Sequence, residues 1–337
     1  MKVLFIGPDS GTSRHRYVGF GRLGHDARLI DPRQLLPRSI MVDRFIWKIH
    51  PAPMAAVVRR RLLQMINGQS YDLAFVDGGS LVNAELVCDL QARGARVVNF
   101  NHDDPYGSRD GPLFATYRRA VSQYDIVVVV RTENVAEARS LGARHVLHTF
   151  RVADDVEHFP RALTPGVGSR WASQVAFIGT WMPERGPFLL RLLQRGIPLS
   201  IFGARWNRAR EWPALRMAHR GDELVGLEYC YAIQSAKICI GLLSQENRDL
   251  HTTRSLEITS LGSLLCAQRT IEHEQLYVDR EEAVFWNDAD ECADLCHELL
   301  RDESRRARIA ARGRERFLAN GHSTDRLLTR IVRETFG

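Results

Sequence analysis

Long apolar runs are absent from this sequence of 337 residues, and none approaches the roughly 18–20 residues that a membrane-spanning helix needs. The opening letters MKVLFIGPDSG hold one lysine and only about five apolar residues, fewer than the roughly 7–15 of a signal-peptide core. We therefore predict that these residues form a buried first strand and that the protein is cytoplasmic.

Cysteine is sparse, with six residues and no CxxC pair. Only Cys292 and Cys296 are close in sequence, and their spacing is that of a helix face. This distribution argues against a disulfide framework and against a zinc site, and it predicts buried free thiols.

Two phosphate-binding signatures are also missing, because the chain contains neither GxGxxG nor GxxxxGK[ST].

Lysine is scarce, so the net charge of +6 comes mainly from arginine, with clusters at residues 59–61 and 301–316. The second cluster is interleaved with acids, as in a solvated helix. A basic surface suits a phosphate-bearing substrate or an anionic membrane face. We do not expect a nucleic-acid partner, since basic and aromatic residues are not interleaved.

Short apolar runs that alternate with amphipathic segments are what the chain does contain. Such runs, separated by helices of 10–15 residues, indicate βαβ units and parallel sheets buried on both faces. The pattern stops after Arg151, crosses a stretch rich in proline and glycine, and restarts near Gln174. We predict a Rossmann-like domain over 1–152, a connector over 153–172, a second Rossmann-like domain over 173–321 and a final helix over 322–337. The two domains are expected to face a central cleft, with ligands at the carboxyl ends of the strands.

The first predicted domain offers four candidate residues in two strand-end loops. Gly11 lies in a glycine-rich turn that suits an anion, and His15 follows it; a tight turn without a ligand is the alternative. Asp103 and Asp104 follow the fourth strand. Either aspartate is a candidate general base or sugar ligand, and the alternative is an Asx turn or helix cap before Pro105.

The second predicted domain begins with a similar loop. Gly179 and Thr180 would let the backbone approach a ligand, and Gly203 follows the next strand. Arg185 lies at the start of a helix, where a cation is slightly unfavourable unless an anion binds there. An exposed arginine without a ligand is the alternative reading.

The segment HTTRSLEITSLGSLLC, residues 251–266, carries only two charges, three residues apart, behind two threonines. Thr252 or Thr253 is a plausible N-cap, and Gly262 ends the helix. A helix N-terminus with Arg254 can hold a diphosphate, and Glu257 can accept both hydroxyls of a ribose. The alternative is an ion pair worth roughly 0.2–0.5 kcal/mol.

From TTRSLEITSLGSLLCAQ through EHEQLYVDREEAVFW and RIAARGRERF, the chain resembles the carboxyl-terminal domain of CgeB-like glycosyltransferases. These look like GT-B enzymes related to a large retaining family with a Glu-x7-Glu motif. The resemblance implies that the second domain holds a nucleotide-sugar donor, with Glu257 at the ribose and Arg185 and Arg254 at the diphosphate. Asp249, eight residues before Glu257, occupies the position of the first motif glutamate and is a further catalytic candidate. The resemblance also implies no metal or cofactor and a last helix that returns to the first domain.

Together these features predict a bacterial enzyme of cell-surface polysaccharide biosynthesis. It would transfer a sugar from a nucleotide-diphosphate sugar to a glycan, lipid-linked or protein acceptor, with retention and without a metal. In an inverting enzyme the base would be Asp103, Asp104 or His15. The alternatives are a nucleotide-sugar epimerase of the same fold and a non-catalytic relative that binds a nucleotide sugar or glycan.

Residues 43–64 mix aromatics and arginines, so contact with an acceptor or peripheral attachment to the inner membrane face is a further expectation. The nucleotide base, the transferred sugar, the acceptor and the oligomeric state are left open. The choice between retention and inversion, and the first-domain residue that would act as general base, are left open as well.

Overall fold

The computed structural model describes all 337 residues, which divide into two compact units. The first unit comprises Met1–Arg151, Glu246–Arg248 and Thr324–Gly337, and the second comprises Val152–Gln245 and Asp249–Ser323. No helix combines the length and the apolar character needed to cross a bilayer.

The first unit is built on a six-stranded parallel sheet in the order β2-β1-β3-β4-β5-β6. Its central strand β3 is buried at every position, which is why the sequence reads there as a continuous apolar run rather than an alternating one. The strands are β1 (Lys2–Ile6), β2 (Asp26–Ile30), β3 (Leu73–Asp77), β4 (Arg96–Asn101), β5 (Ile126–Val129) and β6 (Val146–His148). The helices are α1 (Gly11–Arg22), α2 (Ile40–Lys48), α3 (Ala52–Met65), α4 (Ala84–Ala92), α5 (Ala115–Ala120) and α6 (Thr132–Ser140).

The second unit repeats this plan with a parallel sheet in the order β12-β11-β10-β7-β8-β9. Its strands are β7 (Ser173–Ile178), β8 (Leu199–Phe202), β9 (His219–Gly221), β10 (Ala236–Gly241), β11 (Leu265–Gln268) and β12 (Val284–Trp286). Its helices are α7 (Pro165–Trp171), α8 (Arg185–Gln194), α9 (Trp212–Leu215), α10 (Gly226–Gln234), α11 (Thr253–Ser260), α12 (Ile271–Leu276), α13 (Ala289–Arg301) and α14 (Glu303–Asn320).

The last helix, α15 (Thr324–Phe336), packs in the first unit against α1. A side chain at Gly19 would come within 2.8 Å of Leu328, so the absence of one lets the two helices approach closely. An ion pair between Arg22 and Asp325 closes the same contact at 2.5 Å.

The stretch expected to be an irregular connector is more ordered than its composition suggested. It contains α7, whose N-cap Thr164 accepts a hydrogen bond from the backbone of Val167, with Pro165 in the first turn. Proline is tolerated at that position because its missing N–H would have no partner there. Pro165 therefore begins a helix within the predicted connector.

Candidate functional site

Helix α11 of the second unit begins where the sequence predicted, with Thr252 as N-cap and Gly262, at a φ of 76°, just beyond its end. The Ser255 hydroxyl accepts a hydrogen bond from the backbone N–H of Thr252 at 3.2 Å, as part of a capping box. Thr253 is the first helical residue and is half-buried. The helix therefore starts at a defined residue.

A buried polar network holds this helix start in place. Ser255 lies 2.8 Å from Nε2 of His273, whose Nδ1 lies 2.7 Å from the backbone oxygen of Gln268 at the end of β11. His251 and Glu272 form a second buried pair at 2.5 Å. Burial lowers the pKa of His273 to about 4. The imidazole is consequently neutral near pH 7, and it ties α11 to the sheet without adding a charge.

Arg254 is the one cation in α11, and its side chain is half-buried. Its Nε is shielded from solvent and has no hydrogen-bond partner in the protein. A buried guanidinium N–H without an acceptor is costly, which makes the position suited to an anion supplied by a ligand. The backbone N–H groups at the helix start favour the same charge.

Glu257, one turn later, is buried and in contact with two side chains that the sequence analysis did not select. Tyr229 in α10 donates a short hydrogen bond to Oε2, and His158 lies with Nε2 3.5 Å from Oε1. Burial, followed by the charge of Glu257, raises the pKa of Tyr229 well above its ordinary value. The phenol thus remains a donor to the carboxylate. No local pattern marks Tyr229 or His158, because both come from other segments of the chain.

Arg185, at the start of α8, is buried beneath the ends of two strands. Its guanidinium donates to the backbone oxygen of Thr180 at 2.8 Å and, at 3.4 Å, to those of Leu242 and Leu243. It also lies over the ring of Phe177. This arginine stabilises the carboxyl-terminal edge of the sheet and is not the exposed residue of the alternative reading.

A pocket of about 240 Å³ lies beside Arg185 at this edge. Neither Arg254 nor Glu257 lines it, so the structure does not bring the candidate residues of the second unit together in this pocket. Its walls come from Glu184, Arg185, Phe188, Leu242, Leu243, Gln245, Gln268, Trp286, Asn287, Asp288 and Ala289.

The glycines at the ends of β7 and β8 are required by close backbone approach. Gly203 has a φ of 144°, and a side chain there would come within 2.1 Å of the Gly179 carbonyl oxygen. The two strand ends can touch only because Gly203 lacks a side chain. Asp249 is half-buried, and its backbone N–H donates to the Ser244 oxygen at 3.3 Å.

The first unit has its own pocket, of about 310 Å³, at the carboxyl ends of β1, β3 and β4. Asp103 lines it, as do Asp77 and His102, which the sequence analysis did not select. Gly11 and His15 belong to α1 and are not among the lining residues. The full lining is Ile6, Gly7, Pro8, Asp31, Pro32, Arg33, Asp43, Ile46, Trp47, Asp77, Gly78, Gly79, Ser80, Leu81, Val82, His102, Asp103, Leu113 and Phe114.

Asp77 is buried at the base of this pocket and is held by Arg16 through two hydrogen bonds of 2.8 and 3.1 Å. Burial alone would raise the pKa of Asp77, but the Arg16 guanidinium and the nearby His102 lower it to about 2. His102 has Nδ1 3.8 Å from Asp77 and Nε2 3.6 Å from Asp103. An imidazole between two carboxylates thus faces the pocket.

The two adjacent aspartates have different environments. Asp103 is partly exposed at the pocket wall, whereas Asp104 is buried and bonded through both oxygens to Arg248, at 2.6 and 2.7 Å. Asp104 also accepts hydrogen bonds from Asn134 and from the backbone N–H of Gly107. The bond to Gly107 closes a turn of the kind expected here if the aspartate had no ligand. Burial alone would raise the pKa of Asp104, but the hydrogen bonds and the charge of Arg248 lower it below its ordinary value. This geometry favours a structural role for Asp104 and leaves Asp103 as the accessible carboxylate.

No disulfide forms, and the expectation of buried thiols holds for five of the six cysteines, since Cys88 is exposed. Three of the buried ones, Cys266, Cys292 and Cys296, bring their sulfurs within 4.8 Å of one another. The helical spacing of Cys292 and Cys296 was visible in the sequence, but the approach of β11 to α13 was not. They are the only thiols grouped closely enough to share a metal ion.

Residues 185–333 match the glycosyl transferase-like family model. The matched part of the chain contains Arg185, Arg254 and Glu257 together with the whole of α11. No curated protein matches the sequence significantly.

Solved structures of very different sequence share the fold of the entire chain. Sucrose-phosphate synthase from Thermosynechococcus elongatus is 12% identical with a TM-score of 0.73, covering 100% of this chain and 99% of that one. Anabaena HepE in complex with UDP and glucose is 11% identical with a TM-score of 0.66, covering 99% and 100%. MnaA of S. aureus in complex with UDP is 10% identical with a TM-score of 0.59, covering 98% and 94%. The predicted fold class, GT-B with two Rossmann-like domains, is confirmed.

Proposed function

We propose that this protein is a glycosyltransferase that takes a sugar from a nucleotide-diphosphate donor. The observation that carries the proposal is Arg254: a shielded guanidinium N–H without an acceptor stands at the start of α11, within the residues that match the glycosyl transferase-like family. An anionic ligand would supply the missing acceptor. The UDP found with HepE and MnaA, which have this fold, supports a nucleoside diphosphate as that anion.

In this proposal the second unit binds the donor. The diphosphate contacts Arg254 and the backbone N–H groups of α11, and the ribose hydroxyls donate to Glu257. Tyr229 and His158 keep the Glu257 carboxylate in position. Positive charge fixed at the diphosphate stabilises the departing nucleotide without a metal. Arg185 supports the loop that faces the donor.

The acceptor, a glycan, lipid-linked or protein hydroxyl, would bind in the pocket of the first unit, close to His102 and Asp103. In the reaction the bond between the anomeric carbon and the diphosphate oxygen breaks, and a bond to the acceptor oxygen forms. We propose retention, with the acceptor proton passing to the departing phosphate oxygen. Inversion would instead require a base, for which the accessible Asp103 is better placed than the ion-paired Asp104. A CgeB-like role in bacterial cell-surface polysaccharide synthesis is part of the same proposal.

The donor half of the proposal can be tested by calorimetric titration with UDP, GDP, ADP and their sugars. We expect Arg254→Ala to weaken binding of the preferred nucleotide by about 10- to 150-fold, the equivalent of roughly 1.5–3 kcal/mol for a hydrogen bond to a charged group. Glu257→Gln should weaken nucleoside diphosphates but not inorganic pyrophosphate. Arg308→Ala, an exposed arginine of α14, serves as the control and should bind normally.

Product analysis separates the alternative functions. Transfer requires an acceptor, and NMR of the new linkage reports retention or inversion. An epimerase would isomerise the donor with no acceptor present, and a non-catalytic relative would bind the donor and leave it intact. Normal nucleotide affinity in both the Arg254→Ala and Glu257→Gln proteins would show that the donor site is wrongly placed.

A further inference from the structure

The positive charge of this protein is concentrated in one segment of the first unit. Residues 32–71 contain seven arginines and lysines and a single acid, a net charge of +6. That value equals the net charge of the whole chain, so the remaining residues hold 39 basic and 39 acidic side chains. The one acid, Asp43, is paired with Arg33 at 2.7 Å.

The same segment carries a group of exposed apolar side chains. Ile40, Met41, Trp47 and Ile49, in and beside α2, are 75%, 69%, 53% and 62% exposed. No other stretch of ten residues in the chain has four large apolar side chains exposed in this way. Exposed apolar residues that occur singly are ordinary, whereas a contiguous group indicates an interaction surface.

Helix α2 arranges these residues on one side. At 100° per residue, Ile40, Arg44 and Lys48 follow one another along the helix, with Trp47 and Met41 on either flank. All five are exposed, while Ile46 on the opposite side is buried in the core of the first unit. We call these five residues the α2 face. It contains three apolar side chains, two cations and no acid.

We infer that the α2 face binds an anionic phospholipid surface. Apolar side chains with an indole among them enter the headgroup region, and arginine and lysine extend their charged ends to lipid phosphates. The arginines at 38, 60 and 61 are exposed in the same segment and add to the attraction. A protein partner is less well matched, because hydrated lysine is depleted from the cores of protein interfaces.

The position of the face gives this contact a use. Trp47 and Ile46 also line the pocket of the first unit, so α2 has one side toward solvent and another toward the proposed acceptor site. A lipid-borne acceptor could therefore reach the pocket from the bilayer with little displacement. This last step, unlike the lipid contact itself, rests on the proposed function and selects the lipid-linked class of acceptor.

Flotation with vesicles tests the inference on the full-length protein. We expect binding to phosphatidylcholine vesicles that contain about 30% phosphatidylglycerol, because anionic lipids supply the negative surface potential that attracts basic residues. We expect little binding to phosphatidylcholine alone. Reversing both cations, Arg44→Glu with Lys48→Glu, should weaken binding by at least about 25-fold, since each basic residue near the surface contributes roughly a factor of five. Ile40→Ser with Trp47→Ser should also release the protein.

Matched variants elsewhere on the surface make the test specific. Arg308→Glu with Arg330→Glu changes the net charge equally at exposed positions far along the chain, and Met217→Ser removes an exposed apolar side chain. Both should retain vesicle binding. Three results would overturn the inference. These are an equal loss of vesicle binding in the control variants, equal binding of the wild type to neutral vesicles, and self-association of the wild type without lipid that is abolished in Ile40→Ser with Trp47→Ser. The affinity for UDP should be unchanged in the α2 variants, so a failure of the lipid inference can be distinguished from a failure of the proposed donor site.

Discussion

The buried pair between Arg16 and Asp77 allows a prediction whose size and pH dependence both follow from the structure. Replacing Arg16 by methionine removes the cation and leaves Asp77 buried without its partner. Breaking a buried pair from one side costs about 3–5 kcal/mol, because the remaining charge must be desolvated or neutralised. The contact of Arg16 with the face of Phe100, at 4.5 Å, is lost as well.

The pKa of Asp77 gives the net stabilisation of its carboxylate in the folded protein, in which Arg16 and His102 outweigh the cost of burial. Its value of about 2, against an ordinary 3.8, corresponds to about 2.5 kcal/mol at 1.36 kcal/mol per unit. Because the folded pKa is the lower one, this stability is fully present above pH 3.8 and is lost as the pH falls toward 2. In Arg16→Met, burial without the guanidinium raises the pKa of Asp77 above its ordinary value. The difference between wild type and Arg16→Met should therefore be largest near neutral pH, should begin to narrow above pH 4 and should be smallest near pH 2.

Urea denaturation followed by fluorescence and circular dichroism at several pH values would measure this difference. Arg14→Met is the matched control, since Arg14 lies on the same helix and pairs with Asp9 in solvent. An exposed pair contributes about 0–1 kcal/mol. If Arg16→Met and Arg14→Met cost the same, or if the Arg16→Met difference does not change with pH, the account of Asp77 as a buried, ionised carboxylate is refuted.

Three further substitutions test separate parts of the structure. His102→Ala should lower transfer about tenfold, the equivalent of one lost hydrogen bond to the acceptor of roughly 1.4 kcal/mol, while the affinity for nucleotide measured by calorimetry stays normal. Loss of nucleotide affinity would contradict the assignment of His102 to the acceptor pocket. Gly203→Ala should unfold or strongly destabilise the second unit in thermal melts, because the new methyl group would overlap a backbone oxygen. The control Gly196→Ala, at a φ of 77° with open space around it, should lower the free energy of unfolding by only about 1 kcal/mol. Tyr229→Phe should lower the free energy of unfolding by roughly 1–3 kcal/mol because the buried Glu257 carboxylate loses its donor, and an unchanged value would show that this hydrogen bond adds nothing.

The sequence alone was sufficient for the class of fold and for the start of α11. Strands buried on both faces must be apolar throughout, and helices between them must be amphipathic, so the periodicity of residues 1–151 and 173–286 already specified two parallel sheets. The N-cap at Thr252 and the left-handed Gly262 are set by interactions within a few residues, which a linear reading can recognise. Proline at the first turn of α7 follows an equally local rule, but the proline and glycine content of residues 153–172 predicted only a connector there.

Only the tertiary structure decided which side chains meet. Asp103 and Asp104 are adjacent and chemically identical, yet one faces a pocket and the other is enclosed by Arg248, 144 residues away in sequence. Asp77, His102, Tyr229 and His158 carry no local signal, because their roles arise where the ends of different strands come together. The physical reason is the distance along the chain over which each interaction acts. Backbone conformation depends on residues that are near in sequence, whereas the partner of a buried charge depends on which strands are neighbours in the sheet.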